Sequence, residues 1–137
     1  MQGQFTSGSC TIAQKAGEAV LNSPLVETYK MRDAFKHRRD MAFQILSKMP
    51  GVQCKLPQGA FYFFPDFSFY IQNKDLKKYF ENSEELGMYL LEDAGVASVA
   101  GSAFGMENHI RFSYAVSETL LANAMNNIHD SLMRLHP

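Results

Sequence analysis

The sequence predicts an α+β fold, an open α/β sandwich in which a small mixed or antiparallel sheet of three to four short strands is covered by about four helices. Three observations carry this. Four segments repeat apolar residues at intervals of three and four. Several shorter segments are rich in β-branched and aromatic residues, as half-buried strands are. Clusters of Pro, Gly, Asn and Ser separate them in the order two helices, two strands, a helix, two strands and a helix.

Taken in turn, Thr11 to about Leu21 reads as the first helix, with Ile12, Ala16, Ala19 and Val20 on one face. Asn22-Ser23-Pro24 stops it, and Pro24 suits the first turn of the next. That second helix runs to about Lys48, with Met31, Phe35, Ala42, Ile45 and Met49 at helical spacing. Lys36-His37-Arg38-Arg39-Asp40 is expected on its wet face. Pro50-Gly51 ends it. Val52–Leu56 is a strand candidate, Pro57-Gln58-Gly59 a turn, and Ala60–Phe64 an aromatic run of the kind a sheet buries. Pro65 closes that run. Residues 66–81 read as an irregular excursion with a helical turn near Leu76–Phe80.

Asn82 and Ser83 offer caps for a third helix, and Glu84 and Glu85 favour its dipole. Leu86, Tyr89, Leu90 and Ala94 form its apolar face, and Gly95 is a natural stop. Val96–Ala100 is a strand and Gly101–Gly105 a glycine-bounded loop. Ile110–Ala115 is the best strand of all. Ser117 caps a last helix whose apolar face is Leu121, Ala124, Ile128, Leu132 and Leu135.

Composition narrows the function. With 137 residues the chain suits one domain with a real core. The apolar share is 46% and the charged share 20%, ordinary for a globular protein. Thirteen basic against 14 acidic residues give a net charge of −1, which argues against nucleic acid and anionic membrane as partners. No apolar run approaches the roughly 20 residues that span a bilayer, and the polar start is not a secretory signal. Cys10 and Cys54 read as reduced cytoplasmic thiols, and the histidines show no ligand spacing with them.

Chemistry concentrates on Arg111. By strict alternation it shares a face with Ser113 and Ala115, opposite Ile110, Phe112 and Tyr114. A guanidinium is always charged and offers a rigid fork that matches a carboxylate in bidentate fashion. A clamp for a carboxylate ligand and a surface or ion-paired structural arginine both fit that position. Gly101–Gly105 leads to a strand, whereas a phosphate-cradling loop leads into a helix. No serine has a recognisable His and acid about it.

Six motifs taken in order carry a resemblance. They are Thr11 to Ala16 (Thr-Ile-Ala-Gln-Lys-Ala), Arg38-Arg39-Asp40, Gly59-Ala60-Phe61-Tyr62, Ala94-Gly95-Val96, Gly101–Gly105, and Ile110–Ala115 (Ile-Arg-Phe-Ser-Tyr-Ala). In this order the chain resembles the last third of class I pyridoxal-phosphate-dependent aminotransferases, closest to bacterial aspartate aminotransferases. The resemblance implies the C-terminal small domain of a fold type I enzyme. Residues 11–137 would form that domain, and residues 1–10 a loop from its junction with a large domain.

It further implies that Arg111 binds the substrate α-carboxylate and that Phe104 lines the substrate pocket. Thr6, Ser7 and Gly8 match a loop that reaches the neighbouring subunit's active site in a homodimer. The parent would act on an amino acid and a 2-oxo acid with pyridoxal phosphate, in the cytoplasm. The family's lysine that anchors the cofactor and its other cofactor contacts lie upstream of the matching part, so this chain is expected to be inactive alone and to bind no cofactor. Ala100 departs from the pattern, which has proline there, and this is expected to loosen the turn. Two other readings stand beside this one: a non-catalytic domain that binds a small carboxylate through Arg111, and a dimerisation domain.

Overall fold

A computed structural model describes residues 2–136. The chain forms two compact units, one ending at Arg32 and one beginning at Asp33. The first holds α1 (Gln2–Thr6), α2 (Thr11–Leu21) and the start of α3 (Val26–Leu46). A loop is expected over residues 1–10, but Gln2–Thr6 is helical; residue 1 lies outside the described residues. Helix α2 has the bounds its periodicity predicts, yet none of its residues is buried. Ile12 is 81% and Leu21 85% exposed, so among the described residues its apolar face has no cover.

The second unit holds the rest of α3, then β1 (Tyr62–Phe63), α4 (Ser68–Gln72), α5 (Ser83–Ala94), β2 (Val99–Ala100), a 3-10 turn (Gly101–Phe104), β3 (Ile110–Ser113) and α6 (Glu118–Leu135). The sheet is antiparallel in the order β1-β3-β2, the small helix-covered sheet that the pattern predicts. Phe63, Ile110 and Phe112 turn one face of it into a core shared with Phe67, Leu86, Leu90, Leu121 and Ile128. Helices α5 and α6 pack on each other, and α5 also meets β2.

Caps appear where the side chains call for them. Asn82 accepts the Glu85 N–H at 2.9 Å and Ser117 the Leu120 N–H at 3.4 Å. Gly95 ends α5 at φ 68, the left-handed region open to glycine. Asp93 joins the two helices: its Oδ2 accepts from Ser131 and from Arg134, each at 2.5 Å.

Four expectations fail. Val52–Leu56 is not a strand, because only Gln53 pairs, in an isolated bridge with Asp66, which in turn bridges His109. Asp66 then leaves the ladder: its Oδ1 accepts the Ser68 N–H at 2.7 Å, an Asx turn that starts α4. The helical turn thus falls at Ser68–Gln72 and not at Leu76–Phe80, although Leu76 and Phe80 are buried as anchors. In the aromatic run only Phe63 is fully buried; Tyr62, on the opposite face of β1, stays 39% exposed because that face of the sheet is uncovered, and Phe61, ahead of the strand, is 55% exposed. Finally, Arg39 is not on a wet face; its Nη1 donates to the Pro57 carbonyl at 3.1 Å and its side chain is 19% exposed.

Candidate functional site

The corner before β1 sets the site. Ala60 adopts φ 61, a left-handed angle that costs a residue with a Cβ about 1–2 kcal/mol. The Tyr114 hydroxyl donates to the Ala60 carbonyl at 2.9 Å, and the Tyr114 N–H to the Phe61 carbonyl at 2.8 Å. These two bonds hold the bend and fix the register of Tyr62 against Ser113.

On the other side of β3, Gly101 closes the turn out of β2. Its N–H donates to the His109 carbonyl at 2.8 Å. A Cβ at this position would run into the Met106 and His109 carbonyl oxygens, so only glycine fits. Ala100, where the resembled pattern has proline, sits at φ −59, the angle a proline ring would impose. The turn is thus held without the proline. The 3-10 turn ends at Gly105 with φ 72 and leaves Phe104 at its rim.

Arg111 stands between these two corners on the outward face of β3. The burial alternation is the expected one, with Ile110 and Phe112 buried and Arg111 half-exposed. Its Cζ lies 5.0 Å from the centre of the Phe104 ring and 5.5 Å from that of Tyr62. Among the described residues it has no ion-pair partner and no hydrogen bond, so its donors face solvent. Phe104 meets Phe64 edge-on at 5.7 Å, and Phe64 in turn lies 5.0 Å from the His109 ring.

A cleft of about 560 Å³ opens beside β1, lined in part by Cys54, Lys55, Tyr62, Phe64, Asp66 and His109. Arg111 is not among its lining residues; Tyr62 belongs to both surroundings. The Cys54 thiol is pushed up to about 11 by burial, which keeps it protonated and a poor nucleophile near neutrality. The His109 Nδ1 is buried with no hydrogen-bond partner among the described residues.

The structure therefore brings Arg111 and Phe104 together. Ser7 and Gly8 belong to the first unit, at a sharp bend after α1 with φ 54 and 111; the side chain of Thr6 lies outside the described residues. Sequence reasoning missed Tyr62, which it placed in a buried aromatic run. The alternation that singled out Arg111 would have found it, had β1 been read as one-sided. Among the described residues no group of three His, Cys, Asp or Glu suits a metal ion, and no helix is long and apolar enough to cross a membrane.

Comparison with known proteins gives the family. The family of class I and II aminotransferases matches residues 1–128. An aspartate aminotransferase of Pinus pinaster is 45% identical over all of this chain and 29% of its own length. A probable aspartate/prephenate aminotransferase of Aquifex aeolicus is 40% identical over 96% of this chain and 32% of its own. The crystal structure of the Rhizobium meliloti aspartate aminotransferase superposes with a TM-score of 0.89, at 37% identity, over 98% of this chain and 34% of that one. The chain belongs to the class I and II aminotransferase family. It spans about a third of the length of the relatives it matches.

Proposed function

We propose that this chain is the C-terminal small domain of an amino acid:2-oxo acid aminotransferase of the aspartate aminotransferase kind, and that Arg111 clamps the substrate α-carboxylate. The observation that carries the reading is the state of Arg111: a permanent cation beside two rings, whose donors have no hydrogen-bond or ion-pair partner among the described residues. An anion with two parallel acceptors is the natural ligand of such a group. The alternative of an ion-paired structural arginine has no partner among the described residues. A Thermus thermophilus aspartate aminotransferase described with maleate, 33% identical and with a TM-score of 0.76, supports a carboxylate ligand.

The class I enzymes use pyridoxal phosphate, which supplies an electron sink for the carbanion formed at the substrate Cα. The described residues do not fit that cofactor as a whole. A phosphate cradle needs a glycine loop that opens a helix, and Gly101–Phe104 runs on into β3. Asp66, the carboxylate at the cleft, has Oδ1 engaged by the Ser68 N–H and hydroxyl. In this reading the cofactor is held by residues upstream in the parent, the chain alone is inactive, and Ser7 and Gly8 serve the neighbouring subunit of a cytoplasmic homodimer. Phe104 borders the substrate pocket.

A chimera tests this. Join the upstream two-thirds of the Rhizobium meliloti enzyme to this chain and assay amino transfer from aspartate to a 2-oxo acid. The expected result is turnover that disappears with Arg111→Ala. A folded chimera that shows the cofactor's visible band but no turnover would overturn the reading.

A further inference from the structure

A bidentate clamp demands more than a cation. The guanidinium plane must be set before the ligand arrives, or the long arginine side chain gives up its rotamer freedom on binding. An arginine oriented by hydrogen bonds to some of its five N–H groups has fewer left for a ligand. Here no described group engages them. What lies against Arg111 is aromatic: its Cζ is over the Phe104 ring at 5.0 Å and over the Tyr62 ring at 5.5 Å from their centres. A ring attracts the cation without taking up its N–H groups in N–H···O hydrogen bonds, so they stay available to a ligand.

The two rings are built in differently. Phe104 is braced through Phe64 and His109. Tyr62 is placed by strand register alone. It pairs with Ser113, and Val99 pairs with Arg111, so Tyr62 and Arg111 are diagonal neighbours on the outward face of the sheet. Diagonal positions are within reach of aromatic and long side chains. The Tyr62 hydroxyl makes no hydrogen bond among the described residues, so the ring and not the oxygen is the part in use.

We propose that Tyr62 is a positioning residue for Arg111: its ring, together with Phe104, holds the guanidinium with its edge presented to a carboxylate. The proposal rests on the reading of Arg111 as a carboxylate clamp. Tyr62 itself touches no reacting atom in this scheme. It acts by reducing what Arg111 loses in freedom on binding.

The test uses this chain, labelled with ¹⁵N at arginine, with the Arg111 side-chain Nε–H signal assigned through Arg111→Lys. Without ligand, ring currents should displace the wild-type Hε signal from the positions of the exposed arginines. Tyr62→Phe should keep that displacement and Tyr62→Leu should lose much of it, while the backbone amides of β3 stay in place. Titration with maleate should move the Arg111 signal in the wild type and in Tyr62→Phe with the same affinity, and Tyr62→Leu should bind about two- to fivefold more weakly, the worth of one exposed cation–π contact. If Tyr62→Leu leaves both the displacement and the affinity unchanged, the positioning role is wrong and the clamp stands. If Tyr62→Phe behaves like Tyr62→Leu, the hydroxyl and not the ring matters, and the proposal fails. If saturating maleate leaves the wild-type Arg111 signal unmoved, the clamp reading beneath it fails, while the ligand-free displacement still decides whether Tyr62 orients the guanidinium.

Discussion

Changing Arg111 to Ala separates a ligand clamp from a structural arginine, because the two predict opposite balances of stability and turnover. On the structural side, Arg111 gives up two ring contacts and no ion pair or hydrogen bond among the described residues. Each contact is worth about 0.5–1 kcal/mol at an exposed site, so folding should weaken by about 1–2 kcal/mol at most. On the catalytic side, a charge-assisted hydrogen bond to a carboxylate is worth about 1.5–3 kcal/mol. Losing a bidentate pair therefore lowers kcat/KM on the order of a hundredfold or more, since about 1.4 kcal/mol is tenfold. Holding the carboxylate by two parallel bonds also fixes the direction of the reacting Cα–H bond, so kcat falls as well as affinity. Arg111→Lys keeps the charge but loses the planar fork, and it should recover only a small part of the loss. The assay is melting temperature and kcat/KM on the same preparations of the complete enzyme or of the chimera. A variant that melts much earlier while its folded fraction keeps wild-type kcat/KM would refute the clamp.

Three further outcomes follow from individual contacts. Ala100→Pro should raise stability by about 0.4–1 kcal/mol, seen as a higher midpoint in denaturant, because φ is already −59 and the neighbouring Gly101 N–H takes the ladder bond to His109, which leaves the Ala100 N–H facing away from β3; a lower midpoint would show that this N–H has a partner. Asp93 is held below the ordinary aspartate value by the Ser131 hydroxyl first and then by Arg134, so the stability it contributes is complete above that value and is lost as pH falls through the lowered folded-state pKa; acid unfolding curves of wild type and Asp93→Asn should converge there, and parallel curves would count against the network. Added pyridoxal phosphate should leave no stoichiometric visible band on the isolated chain after gel filtration; a band that borohydride fixes to a single lysine would contradict the assignment of the cofactor site to upstream residues.

Local chemistry alone decided much of this domain. Asn82 and Ser117 cap their helices and Gly95 ends α5, because capping depends on a side chain and the backbone within a turn of it. The alternation of Ile110 to Tyr114 singled out Arg111, because a strand sends successive side chains to opposite faces whatever it pairs with. The same rule could not say which face of Ala60–Phe64 would be covered. That depended on helices distant in the chain, and their one-sided cover left Tyr62 outside. Nor could it give the register: Tyr62 comes to Arg111 only because Tyr114 pins Ala60 and Phe61, 54 residues back in the chain for its hydroxyl bond to Ala60. The bridge at Asp66 was equally out of reach, since a single pair between distant residues leaves no periodicity to read. The sequence by itself determined a charged fork on a central strand; the tertiary structure decided that rings rather than an acid would face it, because pairing register is set by contacts far apart in the chain.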